Sequence, residues 1–215
     1  MKPECEEAAK LQSEGVKIVT IDLSLMDREQ KSSDFGDRCL LLTNDIGFME
    51  TFEYTLCRAN CFCISPTIQF YDEKKCDIYG QCVYFEETAV GTESAKISCG
   101  INYMSLADVH SDSKDAFLTE IAKSYGAKEY IIGLEDVNGD FVWSNGKTLE
   151  SDEYNLYGAG EPDVRHGNCT YAAIDTDGKA IWKTMSCSYT APAKKYFCQK
   201  NTCDTKHYCS TEADQ

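Results

Sequence analysis

The stretch GEPDVRHGNC, Gly160 to Cys169, sets two carboxylates, Glu161 and Asp163, on either side of a proline just ahead of a cysteine. Calcium takes roughly 6–8 oxygen ligands, so an acidic pair held close together is a start on a cation site, and an ion there can in turn hold a sugar. Arg165 and His166 follow directly and can hydrogen-bond a ligand, although a loop histidine is usually just solvated. Asn168-Cys169-Thr170 is an N-glycosylation sequon, meaningful if the chain is secreted. Enzymatic chemistry finds no comparable footing. The three histidines, His110, His166 and His207, stand outside any His-Glu-x-x-His pattern, and there is no Gly-x-Ser-x-Gly and no glycine-rich phosphate loop. No nucleophile is recognisably paired with a base, so the chain is not expected to be an enzyme.

Thirteen cysteines in 215 residues point to an oxidising compartment and a disulfide framework. The zinc alternative rests on Cys57, Cys61 and Cys63 in CRANCFC, but that spacing is not a paired Cys-x2-Cys and no His-x3-5-His accompanies it. The opening MKPECEEAAK has no apolar core and is not a secretory signal. Either the natural N-terminus lies upstream or the compartment is not the extracellular one, and the odd cysteine count leans toward a missing partner. A net charge of -15 opposes nucleic-acid binding, which draws on clustered Lys and Arg. No apolar run approaches the roughly 20 residues that span a bilayer, so membrane insertion is not expected either.

The elements that must carry these residues change character along the chain. Residues 1–60 read as helix, strand, strand, helix. Pro3 and Glu4, Glu6 and Glu7 suit a helix start and Gly15 its stop. GVKIVTIDLSL is apolar on both faces, as in a parallel α/β sheet, and CLLLT and GFMETFEYTLC follow as strand and helix. Residues 61–75, irregular and cysteine-rich, read as a linker. Beyond them a short helix is expected from Thr92 as cap to Gly100 as stop. A longer one starts near Ser111 or Asp112 and buries Phe117, Ile121 and Tyr125. From Tyr130 onward YIIGL, FVWSNG and DTDGKAIWKTMSC read as short strands with turns at NGD and Asp177-Gly178. Helices first and strands later make an α+β module.

From Cys76 to Lys200 the chain resembles a C-type lectin-like domain. The resemblance is carried, in the family's order, by Cys99 on the first helix, YIIGL in place of Trp-Ile-Gly-Leu, FVWSNG, GEPD, Cys169, the Trp182 strand, Cys187 and the closing YFC with Cys198. It implies an α+β C-type lectin-like fold with two helices, short antiparallel strands and a long loop. It implies bridges Cys99 to Cys198 and Cys169 to Cys187, and core positions for Trp143 and Trp182. Cys203 and Cys209, beyond the domain in the tail 201–215, most simply pair with each other, while Cys5, Cys39, Cys57, Cys61, Cys63, Cys76 and Cys82 are left unassigned.

Residues 1–60 are similar to the C-terminal part of a von Willebrand factor A domain, through EEAAKLQSEGVKIVTIDL. That family's metal motif is Asp-x-Ser-x-Ser. Asp22, Ser24 and Met26 reproduce the spacing without its last serine on what reads as a late strand, so this partial α/β segment is expected to lack the metal site.

In sugar-binding members of the lectin family, acidic or amide residues flanking a cis proline ligate calcium, and sugar hydroxyls complete its coordination. Glu161 and Asp163 keep those two positions here. An acidic residue is expected two before the second cysteine, where this chain has Gly167, and Trp-Asn-Asp is expected where it has Trp182, Lys183 and Thr184. The Lys183 ammonium is expected near the cation position, repelling calcium and pairing with Glu161 or Asp163. The resemblance therefore implies a secreted recognition module for a glycan or an extracellular protein, without the usual calcium bridge and with no cofactor. The alternatives are a calcium-dependent lectin using Glu161 and Asp163, with backbone carbonyls and water completing the shell, and an adhesion or structural protein.

Overall fold

The structure, a computed structural model, describes residues 10–11, 16, 18–22, 41–43, 52, 63, 65–72 and 77–201. Two short strands, β1 (Thr20–Asp22) and β2 (Leu41–Thr43), pair in parallel. The helices expected around residues 5–15 and 47–57, and the Cys203–Cys209 pair, lie outside the described residues apart from Lys10, Leu11 and Phe52.

The remainder is one mixed sheet with two helices. Its strands are β3 (Ile68–Asp72), β4 (Asp77–Val90), β5 (Ser105–Leu106), β6 (Glu129–Val137), β7 (Asp140–Trp143), β8 (Cys169–Ile174), β9 (Ala180–Met185) and β10 (Lys194–Asn201). Their order is β3-β4-β10-β6-β8-β9, with β5 on β10 and β7 on β6. The β10–β6 pair is parallel and the other pairs of the sheet are antiparallel. Residues 68–72, expected in the linker, are strand β3. They pair with β4, and Cys63 is bonded to Cys82 on β4, so the sheet begins earlier than the cysteine-rich composition suggests. That bond also withdraws Cys63 from any zinc set in CRANCFC.

Helix α1 spans Thr92–Ile101 and α2 spans Asp112–Ser124. The α1 cap is Gly91 rather than Thr92, for a steric reason. A Cβ at Gly91 would sit 2.5 Å from the Tyr189 carbonyl oxygen, so close backbone approach, not side-chain capping, chose the residue. Thr92 Oγ1 instead donates to the Ser186 carbonyl, and α1 ends at Asn102 rather than Gly100. Ser111 caps α2 through its hydroxyl, which accepts the Lys114 amide at 3.2 Å. The buried face of α2 carries Leu118 and Ala122, four residues apart. Phe117 and Ile121 are half-buried at its margin, and Tyr125 is exposed because it is the C-cap, where the chain leaves the helical path.

The main core lies between α2 and the sheet and contains Tyr130, Ile132, Leu134, Trp143, Trp182 and Phe197. The expected burial of both tryptophans is met: they stand edge to face, 5.5 Å apart. His110 packs its ring 5.0 Å from Trp143. Burial, then the Lys147 charge, lowers its pKa from 6.5 to about 4, so its contribution to stability is present above pH 6.5 and is lost as pH falls toward 4. Asp115 behaves oppositely. Burial, then the Asp112 charge, raises it from 3.8 to about 6, so its contribution is present below pH 3.8 and is lost as pH rises through 6. The two slopes oppose each other between pH 4 and 6. Asp115→Asn is expected to unfold at a denaturant midpoint that falls more steeply with acidification than the wild type's; equal slopes would show that Asp115 does not titrate abnormally.

Candidate functional site

Residues 144–168 form the long loop between β7 and β8. Its far end is hung on the Trp182 backbone, whose amide donates to the Leu156 carbonyl (2.8 Å) and whose carbonyl accepts the Gly158 amide (3.3 Å). The Tyr154 and Tyr157 rings stand perpendicular to the indole at 6.0 and 5.8 Å, and the Tyr157 hydroxyl meets Thr170 Oγ1 at 2.7 Å. The base of the loop is closed by the Cys169–Cys187 bond, and Cys99–Cys198 joins α1 to β10.

At the tip the Glu161–Pro162 peptide is cis, and Glu161 and Asp163 turn to different partners. Glu161 Oε2 accepts the Asp163 amide (2.9 Å), the Thr184 amide (3.1 Å) and the Thr184 hydroxyl (2.7 Å). Thr184 Oγ1, also 2.7 Å from the Asp163 carbonyl, accepts the Asp163 amide at 3.1 Å, so a single buried hydroxyl stitches the loop to β9. Burial pushes the Glu161 carboxyl up, but the Thr184 hydroxyl and the two amides outweigh it and hold the group below its usual value.

Asp163 belongs to Arg165. The guanidinium Nε lies 2.8 and 3.1 Å from its two oxygens and Nη2 lies 2.6 Å from Oδ2, while the Arg165 amide donates to Oδ1 at 3.1 Å. Those Arg165 side-chain and backbone hydrogen bonds hold Asp163 down at about 2. His166 Nδ1 stands 3.9 Å from the same carboxylate.

Lys183 was expected to supply this cation. Instead it is exposed, and among the described residues it makes no ion pair with Glu161 or Asp163. The reason is strand alternation: Trp182 is buried, Lys183 exposed and Thr184 buried, so the inward position beside the loop falls to Thr184. Thr184 carried no expectation as a site residue, although that alternation was the signal that could have found it. The ion-paired loop forms through Arg165, two residues along the same turn.

Gly167 has φ +132°, and a Cβ there would lie 2.3 Å from the Met185 carbonyl oxygen and 2.4 Å from the Ser186 nitrogen. No side chain fits at this position, so a lost acidic ligand cannot be restored by substitution. Gly167→Ala is expected to cost about 1–3 kcal/mol from the backbone conformation alone, with the clash adding to it. Urea denaturation checks this; a wild-type midpoint would mean that the turn relaxes freely.

Three hydrogen-bond donors converge on Glu161 Oε2 and a guanidinium on Asp163, and Gly167 and Thr184 add no carboxylate, so the tip offers fewer side-chain oxygens than the roughly 6–8 that a calcium ion takes. Among the described residues, the one trio of metal-ligating atoms within 4.8 Å of one another is Glu135, Cys169 and Cys187, and those two sulfurs are bonded to each other. Asn168 is exposed, with its carbonyl accepting the Asp136 amide at 2.7 Å. No helix among the described residues is long and apolar enough to cross a membrane.

A family model for the lectin C-type domain matches residues 88–209. C-type lectin domain-containing protein 160 of Caenorhabditis elegans is 25% identical over 96% of this chain, which spans 35% of that protein's length. Among solved structures, the C-type carbohydrate-recognition domain of cow CD23, determined in the presence of a GlcNAc2Man3 oligosaccharide, is 25% identical with a TM-score of 0.51; the match covers 66% of this chain and 98% of that one. A calcium-independent type II antifreeze protein matches at 20% identity and a TM-score of 0.52, over 66% of this chain and 96% of that one, a likeness of fold.

Proposed function

This chain belongs to the C-type lectin domain family, and we propose that it is an extracellular recognition module that binds its ligand, a glycan or a protein, without a calcium bridge. One observation carries the reading: each carboxylate of the Glu161-Pro162-Asp163 tip already has its partners within the protein, Thr184 for one and Arg165 for the other. The loop is thus held in shape by hydrogen bonds within the protein, where a metal-binding loop would rely on coordination to the ion. The exposed side chains it offers include Arg165 and His166. Secretion agrees with the three disulfides among the described residues, and a glycan on Asn168 would border this surface. Of residues 1–60 the described strands are the parallel pair β1 and β2; that the segment is similar to the end of a von Willebrand factor A domain is a proposal from its sequence alone.

Isothermal titration of calcium into the oxidised protein tests the reading. No heat beyond dilution is expected. Binding tighter than about 1 mM that disappears in Glu161→Gln would place the protein with extracellular calcium modules and support the sugar-lectin alternative through Glu161 and Asp163. A protein ligand is favoured by a separate feature: Ile97, Ile101 and Tyr103, at the end of α1, are 49%, 73% and 94% exposed.

A further inference from the structure

The arrangement of Arg165 says what kind of group the loop grips, and this inference rests on the calcium-free reading above. The Asp163 side chain is 14% exposed and that of Arg165 86%, so the carboxylate lies beneath and the guanidinium above it. Asp163 engages Nε and Nη2. A guanidinium carries five N–H donors, which leaves both Nη1 hydrogens and one on Nη2 facing solvent. The backbone amide of Arg165 is tied to the same carboxylate, so the cation is anchored at both ends before any ligand arrives. Asp163 is therefore a positioning residue for Arg165, and the outer edge of the fork matches two oxygens of a carboxylate or sulfate. The His166 ring, 64% exposed, stands beside it, and Val164, half exposed between the paired residues, adds an apolar contact of the kind a sugar ring accepts.

The whole chain sets a limit on the size of the anion. With a net charge of -15 its overall field opposes an extended polyanion or an acidic protein surface. A single anionic group can meet the outward N–H edge of the guanidinium directly, with the Asp163 carboxylate on its opposite side and charges further away than about 8 Å screened at physiological salt. We infer that the Arg165 edge binds one terminal anionic group of a glycan, a carboxylate or a sulfate, with Asp163 holding the guanidinium in place.

The test uses the full oxidised chain in EDTA and again with calcium in its place. Lactose, sialylated lactose, sulfated lactose, glucose and glucuronic acid are titrated in turn, with a heparin fragment and an acidic peptide as further arms. Anionic sugars are expected to bind at least tenfold more tightly than their neutral counterparts, with the two lactose derivatives separating carboxylate from sulfate. Arg165→Gln is expected to erase the preference, and Arg165→Lys to retain only part of it; the Arg165 side chain is exposed, so loss of its pair with Asp163 should lower the melting temperature only slightly. Equal binding of neutral and anionic sugars in EDTA, unchanged in Arg165→Gln, would overturn this inference and leave the calcium-free reading intact. Binding that needs calcium would overturn both. Heparin or the peptide outcompeting the sugars would overturn the single-anion glycan, as would the absence of binding in every arm.

Discussion

Trp182→Ala is expected to lose about 3–5 kcal/mol of stability, the largest effect of any single substitution considered for this chain. The indole is fully buried and is the meeting point of Trp143, Tyr154 and Tyr157, each of which presents a ring edge to face within 6.0 Å of it. Both tyrosines belong to the long loop, so the vacated space lies between the sheet and the segment that carries Glu161, Asp163 and Arg165. The backbone bonds from Trp182 to Leu156 and Gly158 do not require the side chain, but they lose the packing that shields them. Guanidinium denaturation measures the stability, and amide hydrogen exchange across 154–166 should accelerate more than exchange in β10. A loss below 1 kcal/mol would show that the tyrosines collapse into the space and that the loop does not depend on the indole. Trp182→Phe, which keeps an aromatic ring in the cluster, should recover a large part of the loss.

The second large effect concerns the bond between Cys99 and Cys198. The two residues are 99 positions apart, and both are buried where α1 meets β10. In the chain-entropy account a cross-link stabilises by restricting the unfolded chain. It predicts about 4.7 kcal/mol for a loop of roughly 100 residues and about 3 kcal/mol for one of roughly 15. The Cys99→Ala, Cys198→Ala double variant should therefore lie about 2–5 kcal/mol below the wild type, and below the corresponding Cys169, Cys187 variant, whose bond spans 18 residues. The second pair has the greater effect on the site, because it closes the base of the long loop at β8. Comparing denaturant midpoints with the binding of anionic sugars separates the two roles. If the 18-residue bond proved the more stabilising, unfolded-state entropy would not be what these disulfides supply.

Most of the module's outline was legible in the chain. YIIGL, FVWSNG and AIWKTM, with the turns at Asn138-Gly139 and Asp177-Gly178, marked β6, β7 and β9. The degraded ligand set was legible too: Gly167 and Thr184 stand where oxygen-rich side chains were expected. Strand β3 was less so, because five residues of sheet edge inside a cysteine-rich stretch carry too little periodicity to stand out. Helix ends moved by one or two residues because their caps answer to neighbours distant in sequence, as Gly91 does to Tyr189.

The amino-acid sequence alone determined which atoms were available: two carboxylates around a proline, a guanidinium two residues on, and a chain dense in cysteine and negative charge. It did so because composition and local spacing are properties of the chain itself. Only the tertiary structure decided the pairing. The alternation of β9 turned Thr184 inward and Lys183 outward, and the turn after the cis peptide brought Arg165 back onto Asp163. Which cation meets which carboxylate depends on the direction a side chain leaves the backbone, and that direction is set by strands and turns whose partners lie some twenty residues away.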